Sequence, residues 1–134
     1  MVRLQEYLDL QGRNEYRRWF NELDVAAATK VTVALERLAT GNISAVKSVG
    51  DGVSECRIDF GPGYRVYFGK DGEQLVILLG GGTKKRQNRD IEDAKVAWHE
   101  YKQRKKDALK QAESKGSAKA ISRNKTKKKR QRED

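Results

Sequence analysis

The sequence predicts a small α/β (α+β) domain in which an N-terminal strand and a helical hairpin precede an antiparallel β-meander and a C-terminal helix. Three observations carry that expectation. Apolar residues recur at helical spacing between Asn14 and Gly41, the period shortens to two from Val46, and helical spacing returns after Gly80-Gly81-Gly82. At 134 residues the chain holds one folding unit plus an extension.

Val2 to Leu8 reads as a short strand, because Val2, Leu4 and Glu6 alternate with Arg3, Gln5 and Tyr7 before Gly12 ends the segment. Asn14 is placed to cap a helix whose Tyr16, Trp19, Phe20 and Leu23 recur at i, i+3, i+4 and i+7. Those four form an aromatic face, and Arg17, Arg18 and Glu22 take the other side. Asp24 caps a second helix with Ala27, Val31, Ala34, Leu35 and Leu38 on one side, and Gly41-Asn42 stops it.

From Val46 the runs KSVGDG, VSECRIDF, YRVYFG and EQLVILLGGG are divided by turn residues, with Gly61-Pro62-Gly63 and Lys70-Asp71-Gly72 as hairpin connections. Alternation puts Glu55, Arg57, Asp59, Arg65 and Tyr67 on a face expected to be charged. Cys56, Ile58, Phe60, Tyr64, Val66 and Phe68 fall on one expected to be apolar. Leu75 to Leu79 is apolar at both parities, which predicts a central strand covered on both sides. The basic stretch Lys84, Lys85, Arg86 and Arg89 then leads into a last helix striped by Ile91, Ala94, Trp98 and Tyr101. Beyond about Ala112 the sequence KGSAKAISRNKTKKKRQRED has one sizeable apolar residue, Ile121, and is expected to be disordered.

The formal net charge is +10, and its distribution is uneven. Residues 1–101 hold 15 Lys/Arg and 15 Asp/Glu, whereas residues 102–134 hold 14 Lys/Arg and 4 Asp/Glu. The first part therefore has no overall field to attract polyanions, and any nucleic-acid chemistry in it rests on a local basic cluster. The division gives a domain over 1–101 and a basic extension over 102–134. A single cysteine, Cys56, excludes an intrachain disulfide and a cysteine-based zinc site, which fits a reducing cytoplasm. Leu75–Leu79 is the longest apolar run, far below the roughly 20 residues that span a bilayer, and the N-terminus carries no signal-like stretch. No membrane partner is expected.

Several stretches are similar to one family. They are Tyr7-Leu8-Asp9 with Gly12-Arg13, Trp19, Leu35-Glu36-Arg37-Leu38, Gly41-Asn42, Lys47 through Val53, and Glu55-Cys56-Arg57-Ile58. Gly61-Pro62-Gly63-Tyr64-Arg65-Val66-Tyr67-Phe68 follows, then Leu78 through Gly82, Lys84, Gln87, Asp90-Ile91 and Ala94. From about residue 5 to 98 the chain resembles the RelE/ParE superfamily, in particular its HigB-like "addiction module killer protein" branch. The resemblance implies the toxin of a type II toxin–antitoxin pair, neutralised by a small antitoxin expected to have a helix-turn-helix. RelE-like members cleave mRNA in the ribosomal A site without a metal or cofactor, and ParE-like members poison DNA gyrase on the same fold. A toxin that has decayed to binding its antitoxin alone is a third reading.

Arg65 matches the family's arginine after Gly-Tyr, where a guanidinium can clamp two phosphate oxygens; the competing role is a salt bridge to Glu55 or Asp59. Arg57 alternates onto the same face with the same two competitors. Lys85 aligns with a catalytic arginine of RelE and Lys84 with a basic residue before it, in a loop that enters a helix N-terminus; a solvated or antitoxin-covered loop is the alternative. Lys47, Arg86, Arg89 and Gln87 complete the expected RNA-binding set, Lys47 being equally readable as a solvated lysine. RelE has a tyrosine near the start of its last helix where this chain has Ile91, so the proton-transfer groups are open, with Asp90 and Gln87 the nearest polar candidates. Asp90 also reads as a cap or first-turn acid of that helix. Ser54 and Cys56 stand where Trp and Leu are common in the branch, and Cys56 reads as a buried thiol. His99, the sole histidine, is expected on the surface. Lys127, Lys128, Lys129, Arg130 and Arg132 either contact rRNA phosphates or merely solubilise the tail.

Overall fold

The computed structural model describes residues 1–126, with side chains through Ser114. Its elements are β1 (Arg3–Glu6), α1 (Glu15–Asn21), α2 (Val25–Ala39), β2 (Val46–Gly50), β3 (Val53–Ile58), β4 (Tyr64–Asp71) and β5 (Leu75–Thr83). A 3-10 turn over Lys84–Arg86 leads into α3 (Gln87–Thr126). The chain divides into two units, Met1–Tyr101 and Lys102–Asp134.

The mixed fold read from the sequence is the one observed. Asn14 accepts a hydrogen bond from Arg17 N at 2.9 Å and Asp24 one from Ala27 N at 2.8 Å, so both helices of the hairpin start at the side chains expected to cap them. Gly41, at φ +98°, follows the end of α2 in the left-handed region that glycine adopts at no steric cost. The five strands lie in the order β1-β5-β4-β3-β2, with β1 parallel to β5 and every other pair antiparallel.

The hairpin packs on one sheet face, where Tyr16, Val31, Leu35 and Leu38 meet Cys56, Ile58, Val66, Phe68, Val76 and Leu78. Cys56 is buried there. The opposite face differs from the expected charged surface. Val53, Tyr67, Ile77 and Leu79 are buried on it beneath Ala94 and Trp98 of α3, making a second core that also takes in Tyr7. The first turns of α3 cover this face, and Glu55, read by alternation as part of a charged face, is only 2% exposed. Trp98 stacks on Tyr101 with ring centres 5.2 Å apart, and Tyr101 meets Tyr7 edge-on at 5.9 Å.

Three further differences have local causes. The run KSVGDG, which shows no clear alternation, forms β2, a strand of its own; a register shift between Ser48 and Gly50 accompanies the three-residue spacing of the half-buried Val46 and Val49. β5 is interior but not central, since β4 holds the middle of the sheet. The first strand is shorter than Val2–Leu8 because the chain leaves it for a loop closed by Asp9, whose carboxylate accepts from Gln11 N and Arg13 N. Backbone helix in α3 is described to Thr126, past Ala112; Ala, Lys, Gln and Glu are strong helix formers and no proline interrupts them. Within the second unit, Gln103 Nε2 donates to Asp107 Oδ1 one turn away at 3.2 Å. The basic cluster Lys127 to Arg132 lies outside the described residues.

Gly69 and Gly81 are each required by the close approach of an indole ring. A Cβ on Gly69 would lie 2.5 Å from Trp98 Cε3, and one on Gly81 would lie 2.2 Å from Trp19 Cε3. Gly80 has no atom within 4 Å of such a Cβ. Gly69→Ala and Gly81→Ala are therefore expected to destabilise the fold by about 1–3 kcal/mol each, the usual cost of overpacking, and Gly80→Ala to have little effect. Thermal unfolding of the three variants checks this, and equal melting temperatures across them would refute it.

Candidate nucleic-acid interface

The sheet register sets three of the candidate basic residues in two cross-strand rows. One row reads Lys47, Glu55, Tyr67 across β2, β3 and β4; the next reads Arg57, Arg65, Gly82 across β3, β4 and β5. Arg57 and Arg65 are thus directly opposite each other, with Cβ atoms about 4.5–5.5 Å apart, an arrangement that is destabilising for like charges. Lys84 N donates to Gly63 O at 3.0 Å, which ties the 3-10 turn to the β3–β4 connection. A Cβ on Gly63 would sit 3.8 Å from Arg65 Nη1 and 3.9 Å from Lys84 Cβ, so the guanidinium and the start of the basic turn share one corner.

Arg65 is held from below. Its side chain is 11% exposed, and its Nε lies 3.5 Å from Oε1 of Glu55, an ion pair longer than a hydrogen bond. The same carboxylate oxygen accepts from Gln87 Nε2 at 3.0 Å, which joins the first residue of α3 to the sheet. The salt bridge that the sequence offered as an alternative role for Arg65 is therefore present. Arg65 Nε and the Tyr67 hydroxyl are buried without a hydrogen-bond partner among the described residues. Burial, with Glu55 and Asp90 nearby, pushes the Tyr67 phenol far above its ordinary range, and it stays protonated at any physiological pH. Arg57, by contrast, has a half-exposed side chain 3.9 Å from the exposed Asp59, a contact worth about 0–1 kcal/mol.

The remaining basic residues divide. Lys47, Lys84 and Lys85 are exposed, Lys47 opposite Glu55 and the other two in the turn. A shallow hollow of about 420 Å³ is lined by Lys84, Lys85, Arg86, Gln87, Asn88 and Arg89. Arg86 and Arg89 also line a larger cleft of about 540 Å³ with Trp19, Gly81 and Asp90. In that cleft Arg13 and Arg18 are already paired with Asp9 and Glu15. Arg65, Gln87 and Lys47 thus meet Glu55, with Arg57 opposite Arg65 and Lys84 at the neighbouring Gly63 corner, whereas Arg86 and Arg89 also face a second hollow in which carboxylates outnumber cations. Ile91 is partly buried in the second core. His99 is exposed. Among the described residues no three His, Cys, Asp or Glu side chains group so as to hold a metal ion.

Glu55 was legible in the sequence only as a salt-bridge partner, because nothing in VSECRIDF tells a covered strand face from a wet one. Asp90 is the second surprise. Its carboxylate presses on the β5 backbone, where a Cβ on Gly82 would lie 2.0 Å from Oδ2. Desolvation raises its pKa, with Asp93 adding to the rise and Arg86 and Arg89 opposing it.

A carboxyl whose folded pKa exceeds its unfolded value binds its proton more tightly when folded. Ionised Asp90 therefore costs stability above the folded pKa, and the cost vanishes as pH falls below the unfolded value, near 3.8. Asp90→Asn is expected to raise the urea midpoint at neutral pH and to leave it unchanged in acid below that value. A lower midpoint at neutral pH would show that helix-terminus attraction outweighs desolvation.

A five-stranded sheet covered on both faces, with two facing arginines beside a basic turn, defines the class: a small α/β protein with a local basic cluster. Residues 18–102 match the model of the family described as phage derived protein Gp49-like (DUF891), and the chain belongs to that family, one of addiction-module toxins, whose partner is an antitoxin. A Haemophilus influenzae protein described as uncharacterized is 46% identical over 79 residues, which cover 58% of this chain and 80% of that protein.

Proposed function

We propose that this chain is a RelE/ParE-superfamily toxin of the HigB-like branch, cutting mRNA on the ribosome without a metal and so halting translation. The observation that supports it best is the facing pair Arg57 and Arg65 beside Lys84, which an anion would stabilise. RNA cleavage through the substrate's own 2′-hydroxyl requires in-line geometry and stabilisation of the charge that builds on the phosphate oxygens. In this reading Arg65 and Lys85 stabilise the scissile phosphate, and Arg57, Lys84 and Lys47 assist. Arg86, Arg89 and Gln87 bind flanking RNA.

The extension over 102–134 carries the whole net positive charge and supplies the long-range attraction to rRNA that the neutral body lacks. That contribution falls steeply with salt. The site of action is the cytoplasm, where ribosomes are; among the described residues no helix is long and apolar enough to cross a membrane.

Induced expression of the full chain with mapping of RNA 5′ ends tests the proposal. Wild type is expected to arrest translation and generate new 5′ ends within codons. Arg65→Ala is expected to lower cleavage by about a hundredfold or more, the usual loss on removing a transition-state donor, while antitoxin binding persists. Cleavage at the wild-type rate in Arg65→Ala would overturn the assignment. Gyrase-dependent DNA damage without new RNA ends would mark a ParE-like poison, and harmless expression a chain that only binds its antitoxin.

A further inference from the structure

Glu55 is the one buried charged side chain among the described core residues, and the nuclease reading gives it no part. A carboxylate 2% exposed needs compensation, since burying an unpaired charge costs several kcal/mol even after relaxation. Its compensation comes from two sides. Gln87, at the start of α3, donates to Oε1 at 3.0 Å, and Arg65 Nε approaches the same oxygen at 3.5 Å. Arg65 Nε has no other partner among the described residues, while Nη1 is directed to the Gly63–Lys84 corner. The guanidinium is thus gripped by one edge.

We propose that Glu55 is the positioning residue of this site: its buried carboxylate, oriented by Gln87, holds the Nε edge of Arg65 so that the other edge meets the substrate phosphate. The proposal rests on the nuclease reading. Glu55 is too deep to touch a 2′-hydroxyl, so it acts through Arg65 and not as a base. It also offsets the repulsion between Arg57 and Arg65, which face each other one row away. Without it the long, flexible arginine would sample many rotamers and meet the phosphate in few of them, and small losses of alignment cost rate steeply.

Glu55→Gln in the full chain keeps the shape and removes the charge. In a ribosome-programmed mRNA cleavage assay it is expected to lower the single-turnover rate by about 10- to 100-fold with KM little changed. The decisive measurement is the double variant. If Glu55 acts through Arg65, adding Glu55→Gln to Arg65→Ala produces no further loss. An equal fractional loss in both backgrounds overturns the proposal, as does a Glu55→Gln rate equal to wild type. The nitrogen and proton resonances of Arg65 Nε give a reading that needs no activity. They are expected to move and broaden in Glu55→Gln, and an unchanged signal overturns positioning. Absence of cleavage by wild type would sink the nuclease reading alone, with the resonance still deciding whether Glu55 holds Arg65.

Discussion

The docking of the Trp98 indole against the glycine backbone of β4 is the contact on which the rest of the molecule depends. Gly69 lets the ring lie flat on the strand, and Gly52 leaves room at the β2–β3 turn, where a Cβ would come within 2.7 Å of Trp98 Nε1. Once the ring is seated, the first turns of α3 close the second face of the sheet and bury Val53, Tyr67, Ile77 and Leu79. Large side chains buried in this way contribute about 1.5–3 kcal/mol each. The same closure turns Glu55 from an ordinary strand carboxylate into a buried charge, and it places Gln87 where it can reach that charge. Packing and site are one consequence of where this helix lies.

The electrostatics follow from that geometry. A body with equal numbers of cationic and anionic side chains has no reason to attract RNA as a whole, so attraction must be local. Placing Arg57 opposite Arg65 concentrates positive charge at a cost in stability, and burying Glu55 beside them limits that cost without cancelling the field at the surface. The larger cleft shows the contrast. Its Arg13 and Arg18 are paired with the neighbouring carboxylates Asp9 and Glu15, and further acidic side chains line it, which leaves that cleft less to offer an incoming anion than the Arg57–Arg65 pair.

The helices were legible because their signals are local. Asn14 and Asp24 cap, aromatic and aliphatic residues recur at helical spacing, and glycine follows the last turn. The strands were legible as strands, but their faces were not. Alternation separates two sides and says nothing about what covers each, so Glu55, Arg65 and Tyr67 read as part of a charged face with no sign that α3 lies over it. The bulges at Ser48/Gly50 and Tyr67/Phe68 break the alternation that would have marked β2 and set the end of β5. Arg65, Arg57, Lys47 and Lys84 were legible as candidates through charge and resemblance. Glu55 was not legible as a site group, because what distinguishes it is burial under a helix that starts about thirty positions further along the chain.

One fold can serve more than one activity, so support for the proposed RNA chemistry has to come from the side chains. A surface that merely contacts a partner protein gains little from sinking an arginine to 11% exposure over a buried carboxylate. Exposed cations make such contacts with less desolvation. Rigid placement matters when a charge must meet an atom whose position is set by a transition state, since preorganised donors need no rearrangement as charge develops. The stability spent on the Glu55–Arg65 pair is better explained by a reacting phosphate than by a docking face. The exposed Lys84 and Lys85 are then free to adapt to the rest of the strand.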